Sequence, residues 1–239
     1  MQFSARGSAG IDFAVSRGYN ERRRQRKKRV DRLEKGGEQT HMNAAQILAL
    51  CILAVFYLAY FTKMLLQRLA GIKTDQIGKG SKPAGVLIVE SLMKIATYAV
   101  VMLEIVSIVW NFGGKIGAWR YVGLGIAALG VAVFLAAMVT MRDSWRAGIP
   151  ATDKTALVTH GIYRVSRNPA FLGFDLMYLG LLLAFFHYLH LIFVLFAVVM
   201  LHLQILQEET FLCKAFGAPY ADYRRRVGRY FLFDGRTSK

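Results

Sequence analysis

Residues 44–66, 85–110 and 121–141 are each apolar over about the 20 positions that a helix needs to cross the hydrocarbon core of a bilayer. Two further apolar stretches, 171–186 and 190–206, follow a long polar connection and are separated only by His187, Tyr188 and Leu189. In lipid, backbone amides must be satisfied within their own segment, so such stretches become helices, and the short separation makes the last two a hairpin. The expected fold is all-α, a polytopic transmembrane bundle of about five spans ending in a helical hairpin. Small residues Gly123, Ala127 and Gly130 share one face of the third span, as is common where two helices approach closely. Glu90 and Lys94 are spaced to pair along one helix face. Glu104, an acid inside a span, is expected to face the bundle interior as a helix contact.

A 55% hydrophobic content in 239 residues agrees with a membrane protein. The net charge of +16 is concentrated at 22–32 (RRRQRKKRVDR) and 223–229 (YRRRVGR), both outside the apolar stretches. Basic clusters in such places meet anionic lipid head groups. Nucleic acid is not an expected partner, because neither a folded basic domain nor interleaved aromatics accompany the first cluster. Residues 1–41 are polar, basic and without periodicity, and are expected to be a largely disordered tail. The two cysteines, Cys51 and Cys213, offer neither a disulfide framework nor metal spacing. His187, His190 and His202 lack recurring Cys or carboxylate companions, so they are read as bundle or interfacial histidines and no metal is expected.

The most informative stretch is 155–173, TALVTHGIYRVSRNPAFLG, a polar passage lying between apolar segments. Pro169 biases Asn168 away from helix, which places a bend where the next helix starts. Gly161 can adopt backbone angles that other residues avoid. Arg164 and Arg167 are either membrane-edge anchors or ligand contacts. Further on come Glu208–Glu209 and then FGAPYADY over 216–223, with a break expected at 217–219 and a basic amphipathic segment after it. Tyr220, Tyr223, Val227 and Tyr230 in that segment fall at helical spacing and suit an interfacial helix.

The two blocks, LVTHGIYRVSRNPAFLG and Glu208–Glu209 followed by Phe-Gly-x-x-Tyr-x-x-Tyr, resemble the signature of the isoprenylcysteine carboxyl methyltransferases and related phospholipid methyltransferases. The resemblance covers roughly 144–229. It implies an integral membrane enzyme that moves a methyl group from S-adenosylmethionine to a lipophilic acceptor, with the cofactor pocket facing the cytosol. On that basis 42–141 would form the N-terminal transmembrane helices and 142–239 the catalytic region. Thr155, Ala156, Leu157, Val158, Tyr163, Asn168, Pro169, Ala170, Phe171, Glu208 and Glu209 would hold the cofactor. Arg167 and Glu208 would be catalytic, and Gln204 and Arg164 would meet the substrate. The chain departs from the family pattern in Asn168 (for His), Phe171 (for Tyr) and Gln204, which stands where the prenylcysteine enzymes carry an arginine. Gln cannot form a charged bidentate pair with a carboxylate, so the acceptor stays open between a carboxylate and a phospholipid amine, with Arg142 or Arg146 as possible substitutes for the missing arginine. The alternatives are a membrane NADPH-dependent reductase of the sterol type and a small transporter or scaffold. The positive-inside bias places 67–84, 142–168 and the C-terminus in the cytoplasm, and leaves the basic tail on the other side.

If the two blocks serve one ligand, they must meet at one membrane face, and an antiparallel hairpin with legs of nearly equal length would bring them together.

Overall fold

The structure, a computed structural model, describes residues 23–27, 42–72, 74–79, 82–113, 117–149 and 156–231. The chain divides into Met1–Asn43 and Ala44–Lys239, and the helices that carry the site all belong to the second unit. Apart from 23–27, the tail expected to be disordered lies outside the described residues, and so does Thr155.

Among the described residues of the second unit, six α-helices follow one another: α1 (Ala44–Leu69), α2 (Ala84–Val109), α3 (Ala118–Met141), α4 (Pro169–Ala184), α5 (Tyr188–Phe216) and α6 (Ala218–Arg226). Four are long and apolar enough to cross a membrane, namely α1, α2, α3 with its 3-10 extension to Ser144, and α5. Helix α4 is apolar but has only 16 residues, about 24 Å of rise. The helical bundle expected from the sequence is therefore present, with its fourth member short of a full crossing. Residues such as Leu58, Ile95, Met102 and Val139 are more than half exposed, an apolar outer face that suits lipid.

The ends of these helices follow local chemistry. Pro169 opens α4 at a position where its missing N–H costs nothing. Gly217, at φ 58°, ends α5 in a conformation that other residues resist, and α6 starts directly after it. The break expected at 217–219 is thus a single residue wide.

The tightest packing joins α3 to α4. A Cβ on Gly123 would lie 2.5 Å from the Gly180 carbonyl oxygen, and one on Gly130 would lie 2.6 Å from the Met177 nitrogen. A Cβ on Gly173 would meet the Gly130 carbonyl oxygen at 2.8 Å. The small face read on α3 therefore serves close helix approach, and its counterpart on α4 is Gly173 and Gly180. At the far end of the bundle, Arg120 closes the α4–α5 turn. Its Nε donates to the Ala184 carbonyl at 3.1 Å, its Nη1 to Asn111 at 2.6 Å, and its guanidinium sits 4.6 Å from the Phe185 ring centre.

Two expectations need correction. The hairpin legs are unequal: α5 runs for 29 residues, straight through Glu208 and Glu209. Helix α4 packs chiefly on α3, and α5 chiefly on α2, so the legs are not each other's main neighbours. Small residues explain this, because glycine-lined faces draw α3 and α4 together more closely than the bulkier α4–α5 contact allows.

Glu90 does not pair with Lys94. It is fully buried and accepts from Lys82 Nζ at 2.8 and 2.9 Å, from Gly78 N at 2.7 Å and from Ile149 N at 3.1 Å. A buried carboxylate needs donors on several sides, and Lys82 together with the two loops 74–79 and 145–149 supplies them while the exposed Lys94 cannot. Those loops also join backbone to backbone, Gln76 N to Ala147 O at 2.8 Å and Ala147 N to Thr74 O at 3.0 Å. Among the described residues this bridge is the nearest approach to a β-ladder. Lys82→Ala should therefore lower stability by about 3–5 kcal/mol by leaving Glu90 without its cation. Thermal unfolding in detergent checks this, and the conservative Lys82→Arg should recover part of the loss.

Candidate active site

The segment from 156 to 168 crosses the end of the bundle at which α3 stops and α4 begins. Gly161, at φ 59°, starts the turn Gly161–Arg164. The turn sends Tyr163 inward, 6% exposed, into a cluster with Ala137, Tyr220, Tyr223 and Val227. Leu157, Val158 and Ala170 pack against the same cluster. Tyr223 donates its hydroxyl to the Tyr163 carbonyl at 2.7 Å. The aromatic face of α6 is thus docked on the protein body. That corrects the interfacial reading of Tyr220, Tyr223 and Val227, although Arg224, Arg225 and Arg226 remain exposed on the outer face.

The two sequence blocks meet at Glu209. Its Oε1 accepts from Arg167 Nη2 at 3.0 Å, from Asn168 Nδ2 at 3.1 Å and from Arg229 Nε at 3.2 Å, while Oε2 accepts from Arg229 Nη2 at 2.9 Å. Arg167 also donates to the Arg224 carbonyl at 3.1 Å. Residues 227–231 form a strap over this junction. The Arg167 amide donates to the Gly228 carbonyl at 3.0 Å, Ser166 Oγ to the Arg229 carbonyl at 3.2 Å, and the Tyr230 hydroxyl lies 2.8 Å from His202 Nδ1. The hydrogen bond to Glu209 holds the Arg229 guanidinium still more firmly in its charged form, and burial pushes the Tyr230 phenol up to about 12.

Glu208 stands one residue earlier on α5 and looks elsewhere. Its Oε1 accepts from Gln204 Nε2 at 3.0 Å. With Ala170 and Phe171 it lines the end of a cavity of about 700 Å³ walled by residues of α1 to α5 and of the two bridged loops. Most of the wall is apolar and aromatic, including Phe61, Phe134, Phe174 and Trp145. Along α1 the lining runs from Leu50 to Met64, about 21 Å of helix.

The residues singled out from the sequence therefore fall into three adjoining groups. Leu157, Val158 and Tyr163 share an aromatic cluster with Ala170 at its edge. Arg167, Asn168 and Glu209 form the ionic hub beside the buried Pro169. Glu208, Ala170 and Phe171 face the cavity, with Gln204 buried behind Glu208. Two of them stand apart. Arg164 is exposed and does not line the cavity, because the turn that buries Tyr163 turns its neighbour outward. Ala156 is exposed at the start of the described segment. Arg229 was not anticipated as part of the site. Its signal is the Gly228 before it, which ends the helical spacing of the preceding arginines.

The described helices thus form a membrane-type bundle with a polar junction at one end of a long apolar cavity. The family model described as phospholipid methyltransferase matches residues 119–219, a region similar to the isoprenylcysteine/phospholipid methyltransferase group, and this likeness supports a membrane methyltransferase. The match ends at the start of α6 and does not reach the strap that carries Arg229. No curated protein matches the chain.

S-adenosylmethionine is the donor that such a family implies, and the residues present fit it. Arg167 Nε and Gln204 Oε1 are buried without a protein partner, a donor and an acceptor left over between the ionic hub and Glu208. Buried polar atoms without partners are rare unless something else satisfies them.

Proposed function

We propose that the chain transfers a methyl group from S-adenosylmethionine to a lipophilic acceptor seated in the apolar cavity. The observation that carries this reading is the junction of 157–168 with Glu208–Glu209 at the polar end of that cavity. The bound donor supplies a methyl group on a positively charged sulfur. Leu157, Val158 and Tyr163 offer an apolar and aromatic wall for its nucleoside, while Arg167 and Gln204 have polar atoms free to hold its remaining groups. The Glu208 carboxylate, at the cavity end, favours cationic charge and can take a proton from an acceptor nitrogen. Arg167 and Asn168, fixed by Glu209, keep the segment in place, so that position and electrostatics do the catalytic work. An amine acceptor suits this end better than a carboxylate, because Glu208 would repel a second anion and Gln204 offers no charge to offset it. Lys79, Lys82, Arg146 and Arg224–Arg226 lie at the same end, and under the positive-inside bias this supports a cytoplasmic site.

Titration calorimetry on the detergent-purified protein tests this. S-adenosylhomocysteine should bind and NADPH should not, and NADPH binding alone would replace the proposal with a reductase. Glu208→Ala should reduce S-adenosylhomocysteine affinity at least tenfold while the thermal transition stays cooperative. An unchanged affinity would remove Glu208 from the site.

A further inference from the structure

Lys94 stands ten residues into the apolar helix α2, and the acid spaced to pair with it is taken. Glu90 is satisfied by Lys82, Gly78 and Ile149. Asp75, another acid in the cavity wall, is held by Lys79. The Lys94 ammonium is left without a hydrogen-bond or ion-pair partner among the described residues. It is nevertheless part of the cavity. Lys94, Thr97, Tyr98, Val101 and Ile105 all line it and form one stripe along α2. Lys94 and Tyr98, with Phe61 on α1, are exposed as well as lining, so the cavity meets the outside of the bundle along this edge.

The depth of this cation relative to Glu208 follows from the register of α2 on α5. Gln207 Nε2 donates to the Gly85 carbonyl at 3.2 Å, which sets Glu208 level with the start of α2. Lys94 is nine residues further along, about 14 Å of rise. A helical side chain leans toward the N-terminus of its helix, so the ammonium comes back toward Glu208 over part of that distance. The cavity thus offers a carboxylate at its polar end and, one step deeper, an ammonium with donors to spare. Arg146 also lines it, but its Nη1 is turned to the Asp143 and Trp145 carbonyls. A lysine within an apolar span is costly unless an anion meets it, and an ammonium is a point charge suited to phosphate or carboxylate. Gln204 brings no cation to the cavity from α5, and Lys94 brings one from α2.

We propose that Lys94 is a specificity-determining residue, which binds an oxyanion of the acceptor, phosphate or carboxylate, between its reacting amine at Glu208 and its apolar tail. The order along the cavity is then amine, anion, tail. This rests on the reading that the cavity holds the acceptor. A plain alkyl amine reaches Glu208 and covers the apolar wall but leaves the Lys94 charge unanswered, so the anion decides which amines are retained.

The test compares three amines on the full chain in a maltoside detergent. They are hexadecylamine, hexadecylphosphoethanolamine, and 4-amino-2-tetradecylbutanoic acid, which carries a carboxylate in place of the phosphate. Each competes with a fluorescent alkylamine probe. An anion-bearing amine should bind about tenfold more tightly than hexadecylamine. A preference for the phosphate compound alone assigns the site to phosphate, one for the carboxylate compound alone assigns it to carboxylate, and one for both assigns it to either oxyanion. Lys94→Met, which keeps the length and removes the charge, should bring all three to within about twofold while hexadecylamine affinity holds. Lys94→Arg should keep the preference. Anion-bearing amines that bind no better than hexadecylamine to the unaltered chain would overturn the proposal and leave the cavity reading standing, and so would a preference that survives Lys94→Met. Failure of all three to bind, with S-adenosylhomocysteine still bound, would remove the acceptor cavity itself and this proposal with it.

Discussion

Gly180→Val leaves no correctly folded protein in detergent. A Cβ at this position would press against the Ala127 nitrogen, with the Gly123 carbonyl oxygen at 2.6 Å and the Ala127 Cα at 2.9 Å. All three are backbone atoms of α3 and none can rotate away. Reciprocally, a Cβ on Gly123 would lie 2.5 Å from the Gly180 carbonyl oxygen, so the two backbones leave no room for a side chain on either helix. Ordinary overpacking of a core costs about 1–3 kcal/mol because side chains shift; here whole helices would have to separate, and α4 would lose its principal neighbour. Size-exclusion chromatography of the purified variant measures this, and a monodisperse, cooperatively unfolding Gly180→Val would refute it. Gly125→Ala is the control. It has nothing within 4 Å of the added Cβ, and alanine gains up to about 1 kcal/mol over glycine within a helix.

Glu209→Ala removes the site without removing the bundle. Four hydrogen bonds converge on this carboxylate, from the polar segment and from the C-terminal strap. Its loss leaves the Arg167 guanidinium, whose side chain is 7% exposed, facing no counter-charge. Breaking a buried pair from one side costs about 3–5 kcal/mol. The damage is directed, because Arg167 and Asn168 flank the turn that carries Tyr163. S-adenosylhomocysteine binding should become undetectable by calorimetry, and limited proteolysis should cut after Arg224–Arg226 where the unaltered chain resists. Helix content by circular dichroism should change little, since α1 to α5 do not depend on Glu209. Retained binding together with retained protease resistance would show that the hub is dispensable.

The sequence displayed the helices because lipid forces a simple rule, and 44–66, 85–110 and 121–141 lie within two to three residues of α1, α2 and α3. The meeting of Asn168 with Glu209 was legible too, since a chain that goes in and returns must bring those blocks to one end. What pattern alone does not give is the partner of each charge. Glu90 and Lys94 have the right spacing for a pair, yet Glu90 turns to Lys82 and two loop amides, because a fully buried carboxylate needs more donors than one exposed lysine supplies. Tyr220 and Tyr223 have the periodicity of a membrane-surface helix, but the same periodicity serves docking onto Tyr163. Nothing in the local sequence distinguishes lipid from protein as the apolar surface that covers them. Gly173 and Gly180 escaped notice for a related reason: a small face announces a close neighbour without naming it.

The strap has a consequence for how the junction comes apart. Residues 227–231 reach Arg167 and Ser166 through the Gly228 and Arg229 carbonyls and Glu209 through the Arg229 guanidinium. Peeling this short segment away would uncover the Glu209 carboxylate while every apolar helix stays where it is, so the junction can loosen without the bundle loosening.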